Sequence, residues 1–349
     1  MKKRSYHIVL FTLLTLGALT LGAGLSASAQ DIHFSQFFET PLLRNPALAG
    51  IFTGDYRIQT VFRDQWNSFT NAYRTGSLNG EYKWPVGRSS DYFTTAFEVL
   101  YDKAGTAALT TTELLPALNY HKSLSNEKAM YLSVGFMGGL VSKSIDISKV
   151  TTNSQFNGTA YDPALPNGET NFSPNVHYLD GSLGISFNTV FGQDRQNSFF
   201  AGFAYHHLNR PKNSFYKNPS IELDPKYVFS AGIKTVINEQ SYFTLQADHS
   251  RQGPSQETIA GVLWSYKLGD DPENSGYTLH LGGFLRWKDA LIPVVKLEMN
   301  SLAVALSYDA NVSELRTASQ GRGGFELSIS YIGFLDRENA KARILCPKF

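Results

Sequence analysis

The chain has 349 residues and a formal net charge of +1, so charge gives no reason to expect nucleic acid or another polyanion as partner. A single cysteine excludes an intramolecular disulfide framework. Aromatic residues make up 13% and mean hydropathy is −0.21, which suits a transmembrane β-barrel with a wet interior and equally a secreted β-sandwich.

The first 29 residues have the order of a secretory signal peptide. Basic residues 2–4 precede the apolar run 8–25, and Ala-Ser-Ala at 27–29 forms a cleavage site. An anchoring helix is the alternative, but the glycines and threonines of the run and the small-residue exit favour cleavage after Ala29. No later apolar run reaches about 18 residues, so a helical inner-membrane protein is excluded.

Segment 30–55 follows the signal peptide and is rich in turn-forming residues. Pro41, Asn45-Pro46 and Gly50 interrupt regular structure, while several phenylalanines and leucines need an apolar environment. We therefore expect a periplasmic N-terminal segment, packed under or into the mouth of the β-domain that follows it.

Fourteen segments between residues 56 and 335 alternate apolar and polar side chains with the period of two that is typical of β-strands. The clearest is 324–334, GFELSISYIGF. Several segments approach the 9–11 residues with which a tilted strand crosses hydrocarbon. The predicted strands are 56–66, 72–84, 91–102, 109–122, 128–143, 178–190, 198–208, 226–237, 240–250, 258–268, 276–288, 292–299, 301–310 and 322–334.

The connections between these strands differ in length by parity. Three odd-numbered connections are long, 144–177, 209–225 and 310–321, whereas the even-numbered ones are short. Outer-membrane barrels place long loops outside the cell and tight turns in the periplasm. The sequence therefore predicts an all-β transmembrane outer-membrane β-barrel of about 14 antiparallel strands over 56–335, with a periplasmic C-terminal tail over 336–349.

Residue type predicts which side chains face the lumen and which face lipid. Charged groups are costly against lipid, so five inward positions are expected: Arg63, Asp248, His280, Arg286 and Asp309. Aromatic residues near strand ends are expected in two interfacial girdles, although ordinary β-propensity also enriches them. These are Trp66, Tyr82, Trp84, Tyr92, Tyr101, Tyr120, Tyr205, Tyr227, Tyr266, Trp287 and Tyr308.

The stretch QDIHFSQFFETPLLRNPALAG closely resembles the start of the PorP/SprF family, outer-membrane proteins of the type IX secretion system in Bacteroidetes, whose members open with D-x-H-F-S-Q-F…P-L…N-P-A-x-A-G. The resemblance continues to the terminal ILCPKF and covers the whole mature chain. One departure is Gly324-Phe325, where relatives often carry His before the Glu. The matching residues of the opening are Asp31, His33, Phe34, Ser35, Gln36, Phe37, Pro41, Leu42, Asn45, Pro46, Ala47, Ala49 and Gly50.

This resemblance implies a non-enzymatic outer-membrane component of type IX secretion or the linked gliding machinery, which aids export or surface anchoring of secreted proteins. Expected partners are a type IX-secreted surface protein, such as an adhesin or a C-terminal-domain client, periplasmic or peptidoglycan-associated components, and outer-membrane lipid. No cofactor is expected. The residues to which the resemblance assigns partner binding are Asp31, His33, Phe34, Ser35, Gln36, Phe37, Pro41, Asn45, Pro46, Gly50 and Cys346.

A passive porin or hydrophobic-solute channel is the alternative function. Inward positions are mostly small, with a few bulky residues such as Tyr131 and Met137, which favours a filled interior over a charged eyelet. A phospholipase ranks third, because His206 and His207 lie near Ser214 but no G-x-S-x-G elbow is present. The acidic turn 269–274 lacks calcium-loop geometry, so no metal is expected.

Overall fold

The computed structural model describes residues 31–65, 73–87, 90–125, 128–192, 196–269, 271, 275–313 and 323–335. The predicted signal peptide 1–29 and the predicted tail 336–349 with Cys346 lie outside this part of the chain. In the described residues, no helix has both the length and the apolar character that a bilayer-crossing helix needs.

Fourteen antiparallel strands form one sheet in which each strand pairs with its neighbours in sequence. β1 also pairs with β14 along its whole length, from Tyr56↔Gly333 to Gln65↔Gly324, which closes the sheet into a barrel. The strands are β1 (Tyr56–Gln65), β2 (Tyr73–Pro85), β3 (Tyr92–Ala104), β4 (Leu109–Ser123), β5 (Met130–Ser144), β6 (Asn175–Phe191), β7 (Asn197–His206), β8 (Lys226–Val236), β9 (Ser241–Gln252), β10 (Ser255–Leu268), β11 (Tyr277–Arg286), β12 (Ala290–Met299), β13 (Leu302–Tyr308) and β14 (Gly324–Gly333).

All fourteen predicted strands are confirmed, with ends that differ by a few residues. The largest differences are the starts of β6 and β10, which lie three residues earlier than predicted. β13 is interrupted at Asp309, after which Ala310–Asn311 pairs again with β12.

Side chains alternate between the lumen and the outer wall as the sequence predicts. In β14, Phe325 and Ile329 are 43% and 40% exposed on the outer wall, whereas Glu326 and Ser328 face the lumen and are buried. A closed sheet satisfies its backbone groups within itself, so this apolar outer wall can meet lipid. The five charged residues predicted to point inward, Arg63, Asp248, His280, Arg286 and Asp309, are all buried in the lumen.

The predicted aromatic girdles need one correction. Tyr92 faces the lumen and is completely buried, with its ring stacked on His121 at a centroid distance of 4.0 Å. Its place in the alternation puts it in phase with the inward residues Thr94 and Ala96. Trp66 lies outside the described residues. The outward positions include Trp84, Tyr101, Tyr120, Tyr227, Trp287 and Tyr308.

The long connections lie at one end of the barrel, hereafter the long-loop end, and the even-numbered turns lie at the other, the short-turn end. The two long connections that the structure describes in full are 145–174 and 207–225. Three odd-numbered connections are nevertheless tight, 105–108, 253–254 and 287–289. Length thus follows parity for the long loops but not for every odd connection.

Placing a charge at different depths on the outer wall tests whether this wall faces lipid. Ile329→Arg at the centre of β14 should lower the free energy of unfolding in lipid vesicles by about 2–4 kcal/mol, because the guanidinium would lie in hydrocarbon. Phe325→Arg, nearer the strand end, is the matched control and should cost about 0–1 kcal/mol. Equal costs in a denaturant titration would contradict contact of this wall with lipid.

Candidate functional site

The N-terminal segment lies inside the barrel, and we call residues 32–54 the lumenal plug. Three short helical turns shape it: a 3₁₀ turn at Phe37–Glu39, α1 (Pro41–Arg44) and a 3₁₀ turn at Pro46–Leu48. Proline begins the second and third turns, where its missing N–H is not needed. The sequence predicts this segment in the periplasm, under or in the barrel mouth, but its polar groups find partners on the lumen wall.

Nearest the long-loop end, the plug binds a buried carboxylate of β14. The backbone N–H groups of Ser35 and Gln36 each donate to the Glu326 carboxylate at 2.7 Å. The Gln36 side chain also donates to the Ser307 hydroxyl at 3.0 Å, and Arg63 donates to the His33 carbonyl at 2.7 Å. These contacts hold the family-motif residues 33–36 against the wall.

Two arginines balance the charge around this contact. Arg63 lies 3.2 Å from Asp309 and 3.5 Å from Glu326. Arg286 also lies 3.2 Å from Asp309 and donates to the Ser35 hydroxyl. Buried charges are tolerated when each has a partner of opposite sign, so this cluster lets the lumen hold charged groups out of water.

A second buried ion pair fixes the middle of the plug. The Arg44 guanidinium donates to both oxygens of Asp248 in β9, at 2.7 and 2.5 Å, and both side chains are less than 10% exposed. The Arg44 carbonyl in turn lies 3.1 Å from Nε2 of His206 in β7. Such a two-point pair fixes orientation as well as position.

A third ion pair joins the plug to β12. Lys296 donates to Glu39 at 2.7 Å, and the second oxygen of Glu39 accepts from the Gln59 amide at 2.8 Å. Three separate charged contacts, from β14, β9 and β12, therefore hold the plug at different points along its length.

Glycines let the plug lie directly against the wall. A Cβ on Gly135 of β5 would lie 2.5 Å from the Ala47 backbone nitrogen, and one on Gly184 of β6 would lie 1.8 Å from the Asn45 side-chain oxygen. The Ala47 carbonyl accepts from the Asn119 amide at 2.9 Å and from the Ser186 hydroxyl at 2.8 Å. Any side chain at these glycines would displace the plug.

The motif glycine Gly50 has its own requirement. Its φ of +82° is one that residues with a Cβ rarely adopt, and a Cβ would lie 2.1 Å from the Thr94 hydroxyl. Its N–H donates to Glu81 at 2.6 Å, and Arg57 pairs with the other oxygen of Glu81 at 2.6 Å. Gly50 thus lets the chain turn towards β1 without leaving a buried N–H unpaired.

Apolar plug residues complete the filling. Phe37 packs edge-on against Phe284 at a centroid distance of 5.1 Å, within a cluster from β10, β11 and β12. Phe34 packs with Val61 and Leu100. Leu42 is fully buried beside Leu115 and Met137.

Most of the residues to which the family resemblance assigns partner binding therefore contact the barrel itself. Phe34, Ser35, Gln36, Phe37, Pro41, Asn45, Pro46 and Gly50 are buried in the plug. His33 is more open, with a side chain 33% exposed and 3.5 Å from Glu257. Asp31 begins the described chain, and Cys346 lies outside it. Glu39 and Arg44 were not among the residues predicted from sequence. Each is a charged residue among apolar neighbours in the opening segment, and that pattern could have indicated a buried ion pair.

The buried histidines lie in separate contacts and do not form a catalytic group. His280, Arg286 and Asp248 lie in separate contacts, because His280 bonds the Ser265 hydroxyl at 2.7 Å while the other two take part in the ion pairs above. His206 lies in the lumen, and His207 is buried beside Asp180 at 2.7 Å. We find no group of three metal-ligating residues in the part of the chain that the structure describes. Most of the acidic turn 269–274 lies outside that part.

At the long-loop end, connections 145–174 and 207–225 pack against each other, and we call this contact the loop junction. Phe172 stacks on Phe215 at 5.6 Å, and the Ser173 N–H donates to the Phe215 carbonyl at 2.7 Å. The Tyr216 hydroxyl donates to the Glu169 carboxylate, which raises the pKa of Tyr216. These contacts join the two loops to each other.

Breaking the central ion pair tests how the plug is held. Arg44→Met should leave the Asp248 charge buried and unpaired, at a cost of about 3–5 kcal/mol, and should speed hydrogen exchange at the amides of Ala47 and Ala49. Adding Asp248→Asn should restore part of the protection. Arg74→Gln, which removes an exposed partner of Asp64, is the control and should leave exchange unchanged. Unchanged exchange in Arg44→Met would show that the pair does not hold the plug.

Among solved structures, the toluene transporter TbuX of Ralstonia pickettii matches with a TM-score of 0.50 at 9% identity, over 85% of this chain and 94% of that one. The toluene transporter TodX of P. putida matches with a TM-score of 0.45 at 11% identity, over 86% of this chain and 95% of that one. At such identities the first likeness supports the barrel fold and nothing finer.

No match is found among curated proteins. The family model described as type IX secretion system membrane protein PorP/SprF matches residues 26–331, which includes the plug and nearly the whole barrel. Taken with the outer-membrane type of barrel, this match means that the chain is an outer-membrane protein and belongs to the PorP/SprF family of type IX secretion system membrane proteins.

Proposed function

We propose that this protein is a non-enzymatic holding component of the type IX secretion system, which aids export or retention of a secreted surface protein. The observation that carries the proposal is the filled lumen. A barrel whose interior is occupied by its own N-terminal segment is suited to act as a rigid base rather than as a conduit. Family membership supplies the secretion context.

The long-loop end is the side that we assign to the secreted client. The loop junction presents Phe156, Tyr161 and Tyr216 at about half exposure, together with polar loop residues. Aromatic side chains on a supported surface are frequent anchors of protein interfaces. An adhesin or a C-terminal-domain client is the partner class that fits this family.

The short-turn end is the side that we assign to periplasmic or peptidoglycan-associated components, with a role for the tail 336–349 and Cys346. Direct partner contact by the buried motif residues requires the plug to leave the lumen. We therefore propose that the motif acts first by setting the shape of the barrel, and binds a partner only if that partner displaces the plug.

Loss of surface retention tests the proposed function. Cells that lack the protein should release or fail to export at least one type IX substrate, and the wild-type chain should restore its surface level. A chain in which 150–170 is replaced by a short Gly-Ser linker should insert normally but fail to restore retention, because the exposed Phe156 and Tyr161 and the Glu169 contact with Tyr216 are lost. Replacement of the tight turn 253–254 by Gly-Ser is the matched control, because it keeps the glycine at 253, where a Cβ would lie 2.3 Å from the Asp224 carboxylate. Normal secretion and retention of every type IX substrate in the deletion strain would contradict the proposal.

A passive porin or hydrophobic-solute channel is the second candidate, because the first structural match is a solute transporter. The cavities beside the plug argue against an open path. Two of them, lined by described residues of the plug and the wall, measure about 70 Å³ and 50 Å³, which is room for only a few water molecules.

Conductance in planar bilayers separates the two functions. The mature chain should show no steady openings, whereas deletion of residues 32–54 should produce them, because the plug fills the lumen. A variant with the loop 150–170 shortened is the control and should stay closed. Large steady openings of the intact chain would favour the porin and contradict a plugged base.

A further inference from the structure

A pocket on the outer wall lies apart from the plug and the loop junction. It has a volume of about 600 Å³ and opens beneath connection 207–225 at the long-loop end. β8 and β9 form its floor, and Arg210, Leu223 and Pro225 of the connection form its upper side. The established family role assigns nothing to this pocket.

The floor of the pocket has two cross-strand pairs, each with one aromatic and one basic side chain. Tyr227 of β8 pairs in register with Arg251 of β9, and Phe229 pairs with His249. All four side chains point outward, in phase with the exposed positions of their strands. Each row thus places an aromatic ring beside a nitrogen-rich side chain on the lipid-facing wall.

The depth of the pocket matches the boundary between headgroups and hydrocarbon. β8 starts at Lys226, so Tyr227 and Phe229 lie within about 10 Å of the strand end. Phe203 and Tyr205 of β7 extend the same aromatic group, with Tyr205 and Tyr227 rings 5.1 Å apart. Aromatic girdles mark this depth, and arginine costs little there.

Hydrogen bonds hold the upper side of the pocket in place. The Leu223 N–H donates to the Pro211 carbonyl at 2.9 Å, and the Gln252 amide donates to the Asp224 carbonyl at 3.3 Å. Within the described chain, neither Arg210 nor Arg251 has a carboxylate at ion-pairing distance. Two guanidinium groups therefore line the pocket without a direct ion pair, although the carboxylates of Glu222 and Asp224 line it too and Arg251 Nε lies 3.5 Å from the Gly253 carbonyl.

We propose that this pocket binds a phosphorylated glycolipid of the outer leaflet. Its phosphate would meet Arg210 and Arg251, since guanidinium groups bind phosphate at two points. Its acyl chains would run down over Phe229. The carboxylates of Glu222 and Asp224, which line the loop side, would accept hydrogen bonds from sugar hydroxyls. Lipid would surround the wall at this depth, and the combination of an apolar floor, two guanidinium groups and two carboxylate acceptors matches such a headgroup.

Native mass spectrometry of the delipidated, full-length mature protein in detergent tests the proposal. Monophosphorylated lipid A should bind at a stoichiometry near one, and its dephosphorylated form at least tenfold more weakly. The variant Arg210→Gln/Arg251→Gln should weaken binding of the phosphorylated probe at least tenfold. Inorganic phosphate at the same concentration should not compete, because it lacks the chains that contact the aromatic floor.

The matched control is Arg74→Gln/Lys103→Gln, which removes two outward cations at the same end of β2 and β3. It should bind lipid A like the wild type. Equal weakening by both double variants would mean general charge attraction and would overturn the proposal, as would no weakening by the first. Should the first double variant fail to fold, judged by heat-modifiable migration, Arg251→Gln alone decides, with at least threefold weakening expected and unchanged binding contradicting the site.

Discussion

The inability of lipid to hydrogen-bond with a polypeptide governs this molecule. A spanning chain must pair its own N–H and C=O groups, and here β1 and β14 close the sheet so that every strand has two neighbours. Closure turns one face of each strand towards hydrocarbon and the other towards an interior that tolerates charge. The alternation seen along β14 is the direct result.

The interior then presents buried charges that need partners. The N-terminal segment supplies them: the amides of Ser35 and Gln36 for Glu326, the guanidinium of Arg44 for Asp248, and the carboxylate of Glu39 for Lys296. Breaking a single polar contact between the plug and the wall is costly, because it leaves a buried group without its partner. Water or another polar chain could nevertheless replace each of these contacts. This differs from a purely apolar filling, which no aqueous partner could displace.

The same architecture leaves distinct surfaces at the two ends of the barrel and on its outer wall. The plug lies within the lumen, and the surfaces outside it are the loop junction, the short-turn end and the outer wall. The joined connections 145–174 and 207–225 offer a supported surface at one end. The girdle around Tyr227, with Arg251 beside it, offers an amphipathic surface to the membrane.

The sequence by itself determined the number of strands, their positions within a few residues and the inward facing of residues such as Arg63 and Asp309, because a period of two and the cost of charge in lipid act locally. The opening motif of the sequence also indicated the family. Only the tertiary structure decided where that motif lies and which groups it contacts. Contacts such as Ser35 with Glu326 span almost the whole chain and have no local pattern. Tyr92 shows the same limit, since its amphipathic ring suits a girdle and a lumen equally, and the register of β3 made the choice.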